Sequence, residues 1–208
     1  KLTMEQLALV ETLGIGCHCV DRAGLAKGEK VLVIGAGPIG LSVVEFLKVA
    51  GAEITVMDMN ETRLAFCESP MGVNHTVVFK NDGIETDQLR EVNGGELPTT
   101  VIDATGSHVS MSNAFQYCAF TGQVVYVGIT TEEVKFRHVD IHRPEITIKA
   151  SRNAVPADFQ RIIRLIEDGV IDTRPWLTHH ASYDDFIGEF PNWLKPETGV
   201  IKAVLHMN

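Results

Sequence analysis

From Lys30 onward the hydrophobic positions alternate between two patterns. Residues 30–35, KVLVIG, are a continuous apolar run closed by glycine, as expected of a strand buried on both faces of a parallel sheet. Residues 39–51, IGLSVVEFLKVAG, carry the helical period and stop at glycine. The alternation continues with a strand at 53–58, a helix at 61–69, a short strand at 76–79 and a polar helix at 84–92. A strand at 99–106, a helix at 108–119, a strand at 123–128 and a sixth strand at 145–151 complete it. Two successive βαβαβ units predict an α/β fold: an open, doubly wound parallel sheet of six strands, the Rossmann arrangement. The sixth strand is expected at a sheet edge.

The flanks fall outside that count. Residues 1–27 read as one or two helices. After Ser151 come a helix at 157–169, a strand in WLTHHAS (176–182), a helix around Asp184–Phe190 and a strand at 200–207. A lone terminal strand is a liability, so its partner is expected in residues outside this sequence.

Composition narrows the function classes. The net charge is −9 and no Lys/Arg cluster stands out, which argues against nucleic acid as a partner. The longest apolar run, Val31 to Val44, is interrupted by Gly and Pro and ends at Glu45, too short to span a bilayer. The cysteines Cys17, Cys19, Cys67 and Cys118 do not read as a disulfide framework in a chain of 208 residues, which points to a reducing, cytoplasmic setting.

The informative motif is VLVIGAGPIGL (31–41), a G-x-G-x-x-G between strand and helix. Gly35 permits the tight turn, Gly37 lets backbone approach a pyrophosphate, and Gly40 lets the helix pack closely. Pro38 suits the first helical turn. The helix N-terminus offers free N–H groups to phosphate. A plain glycine-rich turn is the alternative. Context favours the nucleotide: the second strand ends in Asp58, 18 residues past Gly40, where an acid meets the adenosine ribose 2′-hydroxyl. Asp58 could instead cap the following helix. A carboxylate there repels a 2′-phosphate, so NAD is expected over NADP. Arg63 could pair outward, stack on adenine or tolerate a phosphate.

With RAGLAKGEKVLVIGAGPIGL (22–41), VIDATG (101–106), GQVVYVGI (122–129) and ITIKASRN (146–153), the chain resembles the medium-chain zinc-dependent alcohol dehydrogenases. Its likeness is to the sorbitol, polyol and sugar-acid dehydrogenase branch, over nearly the whole sequence. The resemblance implies NAD contacts from Ile39 under the pyrophosphate, Asp58 and Arg63 at the adenosine end, and Thr105 and Gly106 after the fourth strand. It places Val127, Gly128 and Ile129 on the nicotinamide side and Arg152 and Asn153 near the nicotinamide or its ribose. Ordinary core is the alternative for Val127 and Ile129. It further implies a domain plan: 1–13 the end of a GroES-like catalytic domain, 14–155 the NAD-binding domain, and 156–208 returning to the catalytic domain.

The stretch GCHC (16–19) invites a zinc reading. On a helix, adjacent residues point about 100° apart and cannot close on one ion. Packing or cofactor-side lining is expected instead. The resemblance places Glu11 beside the catalytic zinc, as a ligand or neighbour. A solvated or capping glutamate is the alternative. The family's other ligands include a His-Glu pair, and this sequence has no His-Glu dipeptide, so the N-terminal domain carrying them is expected outside it. His179 and His180 are adjacent on a predicted strand and should face opposite ways.

The implied reaction is zinc-assisted hydride transfer from a secondary alcohol to NAD, in a homodimer or homotetramer. The rivals are a standalone NAD-binding module and a methyltransferase. The latter's loop is usually G-x-G-x-G, which Gly40 misses by one position.

Overall fold

A computed structural model of the protein describes residues 1–207. Lys30–Ile34 (β1), Glu53–Asp58 (β2), His75–Val78 (β3), Thr100–Asp103 (β4), Gln123–Tyr126 (β5) and Thr147–Ala150 (β6) form one parallel sheet. Its order is β3–β2–β1–β4–β5–β6, the doubly wound order predicted from the apolar runs. β6 lies at an edge, as expected.

Strand period two explains why β1 is apolar from Val31 to Ile34. Val31 and Val33 join the core on one face, with residues of Met4–Ala23 (α1), Pro38–Ala50 (α2), Glu61–Glu68 (α3) and Pro156–Glu167 (α7). Leu32 and Ile34 join the core on the other, with Leu89 of Glu85–Val92 (α4), Phe115 and Tyr117. A strand sandwiched this way has no solvent face on which polar residues would be tolerated.

The N-terminal segment is one helix. Thr3 and Gln6 form its capping box, and Gly24 ends it at φ +70°. α1 therefore runs unbroken across residue 13.

Local details differ from expectation in several places. The helix expected over 108–119 is α-helical only over His108–Asn113 (α5) and continues as a 3-10 turn over Ala114–Tyr117. Three residues per turn set Ala114 and Tyr117 on one side, and both are buried. The sixth strand starts late because Glu145 sits at φ +55°. The short helix His138–His142 (α6) carries no buried residue and gave no periodic signal.

The terminal strand needs correction. Lys202–His206 (β8) pairs in parallel with Leu177–Ser182 (β7), so its partner lies within the chain. Phe186–Trp193 (α8) lies in the crossover between them. A parallel partner on the far side of a helix leaves no hairpin signature. Among the described residues, no helix is long and apolar enough to cross a membrane.

Candidate functional site

The carboxyl ends of β1, β2 and β4 converge where the strand order reverses. Gly35 takes φ +101° and donates its N–H to the Met57 carbonyl at 2.8 Å. Asp58 clamps this turn. Its Oδ2 accepts the Ala36 N–H at 2.6 Å and its Oδ1 the Asn60 N–H at 2.8 Å. Asn60 caps α3, accepting the Arg63 N–H at 3.1 Å, so Asp58 is not the cap.

Gly37 is the N-cap of α2 and Pro38 opens its first turn, with Ile39 half-buried behind it. A Cβ at Gly37 would meet only the Arg63 Nη1, at 3.8 Å. Gly40 is the opposite case. A Cβ there would stand 1.8 Å from the Gly35 carbonyl oxygen, so its absence lets the helix close on the turn itself.

After β4, the buried Asp103 carboxylate accepts the Thr105 N–H at 2.9 Å, the Thr105 hydroxyl at 2.7 Å and the Ser110 hydroxyl at 2.6 Å. Burial pushes its pKa above the usual carboxylate range, against the opposing pull of these donors. The loops after β4 and β5 touch. Gly106, at φ +67°, leaves room for the Ile129 carbonyl, and a Cβ on Gly128 would lie 2.5 Å from the Gly106 nitrogen. Val127 is half-buried against the core, whereas Ile129 is 87% exposed. Arg152 and Asn153 are exposed beyond β6.

A cavity of about 390 Å³ opens between these loops. It brings together three of the predicted residues, Gly35, Asp58 and Thr105. Arg63 instead borders a smaller hollow of about 160 Å³ with Asn60 and the C-terminal Trp193. Ile129, Arg152 and Asn153 do not line the larger cavity. Sequence reading missed Phe79, Asn81, Ser107, Val109, Ser110 and Asn113 on its wall. All follow the ends of β3 or β4, where the rule for open α/β sheets looks for ligands. A turn open at Gly37, a carboxylate bound to it and an adjoining cavity fit a dinucleotide.

The metal expectation fares differently. Glu11 is exposed on α1. Among the described residues two groups of three donor side chains converge, Glu5–His180–His206 and Cys17–Asp21–Asp158, and Glu11 belongs to neither. One carboxylate does not make a zinc site. Burial pushes the Cys17 thiol up to about 11 and Cys19 up to about 12. Asp21 is taken by Arg161 at 2.8 Å, and Asp158 accepts the Val155 N–H at 2.8 Å while lying 3.3 Å from His18. The GCHC stretch is thus helix packing. His179 faces Trp193 whereas His180 faces His206, on opposite sides of β7 as expected.

The zinc-binding dehydrogenase family matches residues 38–168, more than half of the chain. The chain belongs to that family. The chain is 38% identical over 199 residues to L-galactonate-5-dehydrogenase of Escherichia coli K12, across 95% of its own length and 58% of that protein's. It is 32% identical over 206 residues to L-arabinitol 4-dehydrogenase of Aureobasidium melanogenum, covering 97% and 56%. The crystal structure of 2R,3R-butanediol dehydrogenase from Bacillus subtilis matches with a TM-score of 0.89 at 28% identity, over all of this chain and 59% of that one. The chain therefore spans a little over half the length of the relatives it matches.

Proposed function

We propose that this chain carries the NAD-binding part of an oxidoreductase that oxidises a secondary alcohol of a polyol, sugar or sugar acid with the help of zinc. The clamp of Asp58 on the glycine turn carries the cofactor reading, because it sets a carboxylate beside the place where the adenosine ribose would lie. Relatives acting on L-galactonate and L-arabinitol support the substrate class.

In this reading residues 14–155 are the NAD-binding domain, and 1–13 and 156–208 adjoin a catalytic domain. The α2 N-terminus and Gly37 hold the pyrophosphate through backbone N–H groups. Asp58 accepts from the ribose hydroxyl and repels a 2′-phosphate, with Arg63 beside it. Thr105 and Gly106, Val127 to Ile129, and Arg152 and Asn153 border the nicotinamide end. A nicotinamide bound there supplies the hydride acceptor. Glu11 gives zinc one donor, so these residues alone do not complete a catalytic zinc site. We place the enzyme in the cytoplasm as a homodimer or homotetramer joined through the β6 edge.

The test is fluorescence titration with NAD and NADP, followed by assay of the complete gene product with polyols and sugar acids. NAD is expected to bind at least about tenfold tighter than NADP, a difference of about 1.4 kcal/mol. Tighter NADP binding would overturn the cofactor reading. NAD binding without turnover of any such alcohol would favour a non-catalytic NAD-binding module.

A further inference from the structure

We propose that Glu5, His180 and His206 form a zinc site that ties the start of α1 to the β7–β8 sheet. Nothing in the reaction above uses these residues, and the three come from distant parts of the chain.

Strand geometry brings the two imidazoles together. In the parallel register His180 pairs with Val204, and His206 stands two positions farther along β8. Period two puts both side chains on one face. Their ring planes lie within 12° of parallel, centroids 5.5 Å apart, with the two nitrogens between the rings. Glu5, in the first turn of α1, points its carboxylate at both.

The donor atoms form a triangle. His180 Nδ1 lies 3.2 Å from His206 Nε2, and each lies 3.6 Å from Glu5 Oε1. Tetrahedral zinc with bonds of about 2.0–2.2 Å has ligand–ligand edges of about 3.3–3.6 Å. An octahedral ion at about 2.1 Å needs edges near 3.0 Å. The triangle matches the tetrahedral case.

The tautomer also agrees. His180 Nε2 lies 3.2 Å from the Leu177 carbonyl oxygen, which can only accept. That places a proton on Nε2; in the neutral imidazole Nδ1 then presents its lone pair toward Glu5 and His206. A backbone carbonyl orienting a ligating imidazole in this way is the usual outer support of a histidine–zinc bond. In this chain the Glu5 side chain is 37% exposed and the histidines 44% and 45%.

The ion would have mechanical value here. A clip between residues distant in sequence removes much unfolded-state freedom.

The test strips metal from the protein expressed from its complete gene and titrates it with zinc chloride by calorimetry. Wild type is expected to hold one Zn²⁺ per chain more than the H180Q/H206Q variant. E5Q should bind that ion at least about tenfold more weakly. Zinc should also raise the Tm of wild type more than that of the double variant. Equal stoichiometry and equal Tm shifts in the two proteins would overturn the proposal. Circular dichroism of the metal-free proteins reports folding. If the double variant does not fold, ¹H–¹⁵N spectra of wild-type imidazoles decide: two should shift together as the extra equivalent binds, and unmoved resonances would refute the site.

Discussion

The Ser42 hydroxyl of α2 accepts the Gly16 N–H of α1 at 3.0 Å and donates to the Leu13 carbonyl at 3.1 Å. A side chain on Gly16 has nowhere to go: its Cβ would lie 2.2 Å from Ser42 Oγ and 2.3 Å from the Ser42 carbonyl carbon. The glycine that opens GCHC thus lets two helices touch at their backbones.

G16A should therefore destabilise the protein by about 1–3 kcal/mol through overpacking. S42A should cost about 0.5–1.5 kcal/mol by removing the hydroxyl's bonds across the two helices. Urea midpoints measure both. A G16A protein as stable as wild type would contradict the close contact.

G37A and G40A separate binding from folding. Alanine at Gly37 meets only Arg63, whereas alanine at Gly40 collides with the turn. G37A is expected to keep the wild-type Tm and to weaken NAD binding at least about tenfold. G40A should lose both stability and binding. Unchanged NAD affinity in G37A would show that no pyrophosphate lies against this glycine.

Glu45 of α2 is 4% exposed and 3.4 Å from Lys48. Burial raises its pKa, partly offset by Lys48. Between the unfolded and the raised folded value, the folded state binds more protons, so stability falls as pH rises. The contribution is full below the ordinary glutamate range and is lost through the raised folded value. Denaturation across acidic to neutral pH should show a shallower decline in E45Q. Parallel curves for the two proteins would contradict the assignment.

All four cysteines are free and buried, and burial pushes the Cys67 and Cys118 thiols up to about 12, as it does Cys19. Native protein should resist a thiol-specific disulfide reagent on the timescale of minutes. Denaturant should release all four. Rapid reaction of Cys17 or Cys19 in the native protein would point to a loose α1–α2 contact.

Local pattern carried the sheet. Strands covered on both faces must be apolar along their length, and glycines at turns and caps mark where each element stops. The glycine turn, Pro38 and Asp58 were legible for the same reason, since each is dictated by its own backbone or by a short strand–turn–helix span. The cavity wall at Phe79, Asn81 and Ser110 was less so. Those residues share no motif and meet only because β3 and β4 end at one level.

The sequence by itself determined the parallel doubly wound sheet, the placement of the glycine turn and the acid at the end of β2. These follow from short-range rules: strand alternation, positive φ at Gly35 and the length of one βαβ unit. Only the tertiary structure decided the fit of Gly16 against Ser42, the pairing of β8 with β7 and the meeting of Glu5 with His180 and His206. Such contacts depend on how whole elements pack, and no local period records which distant side chains that packing brings within reach.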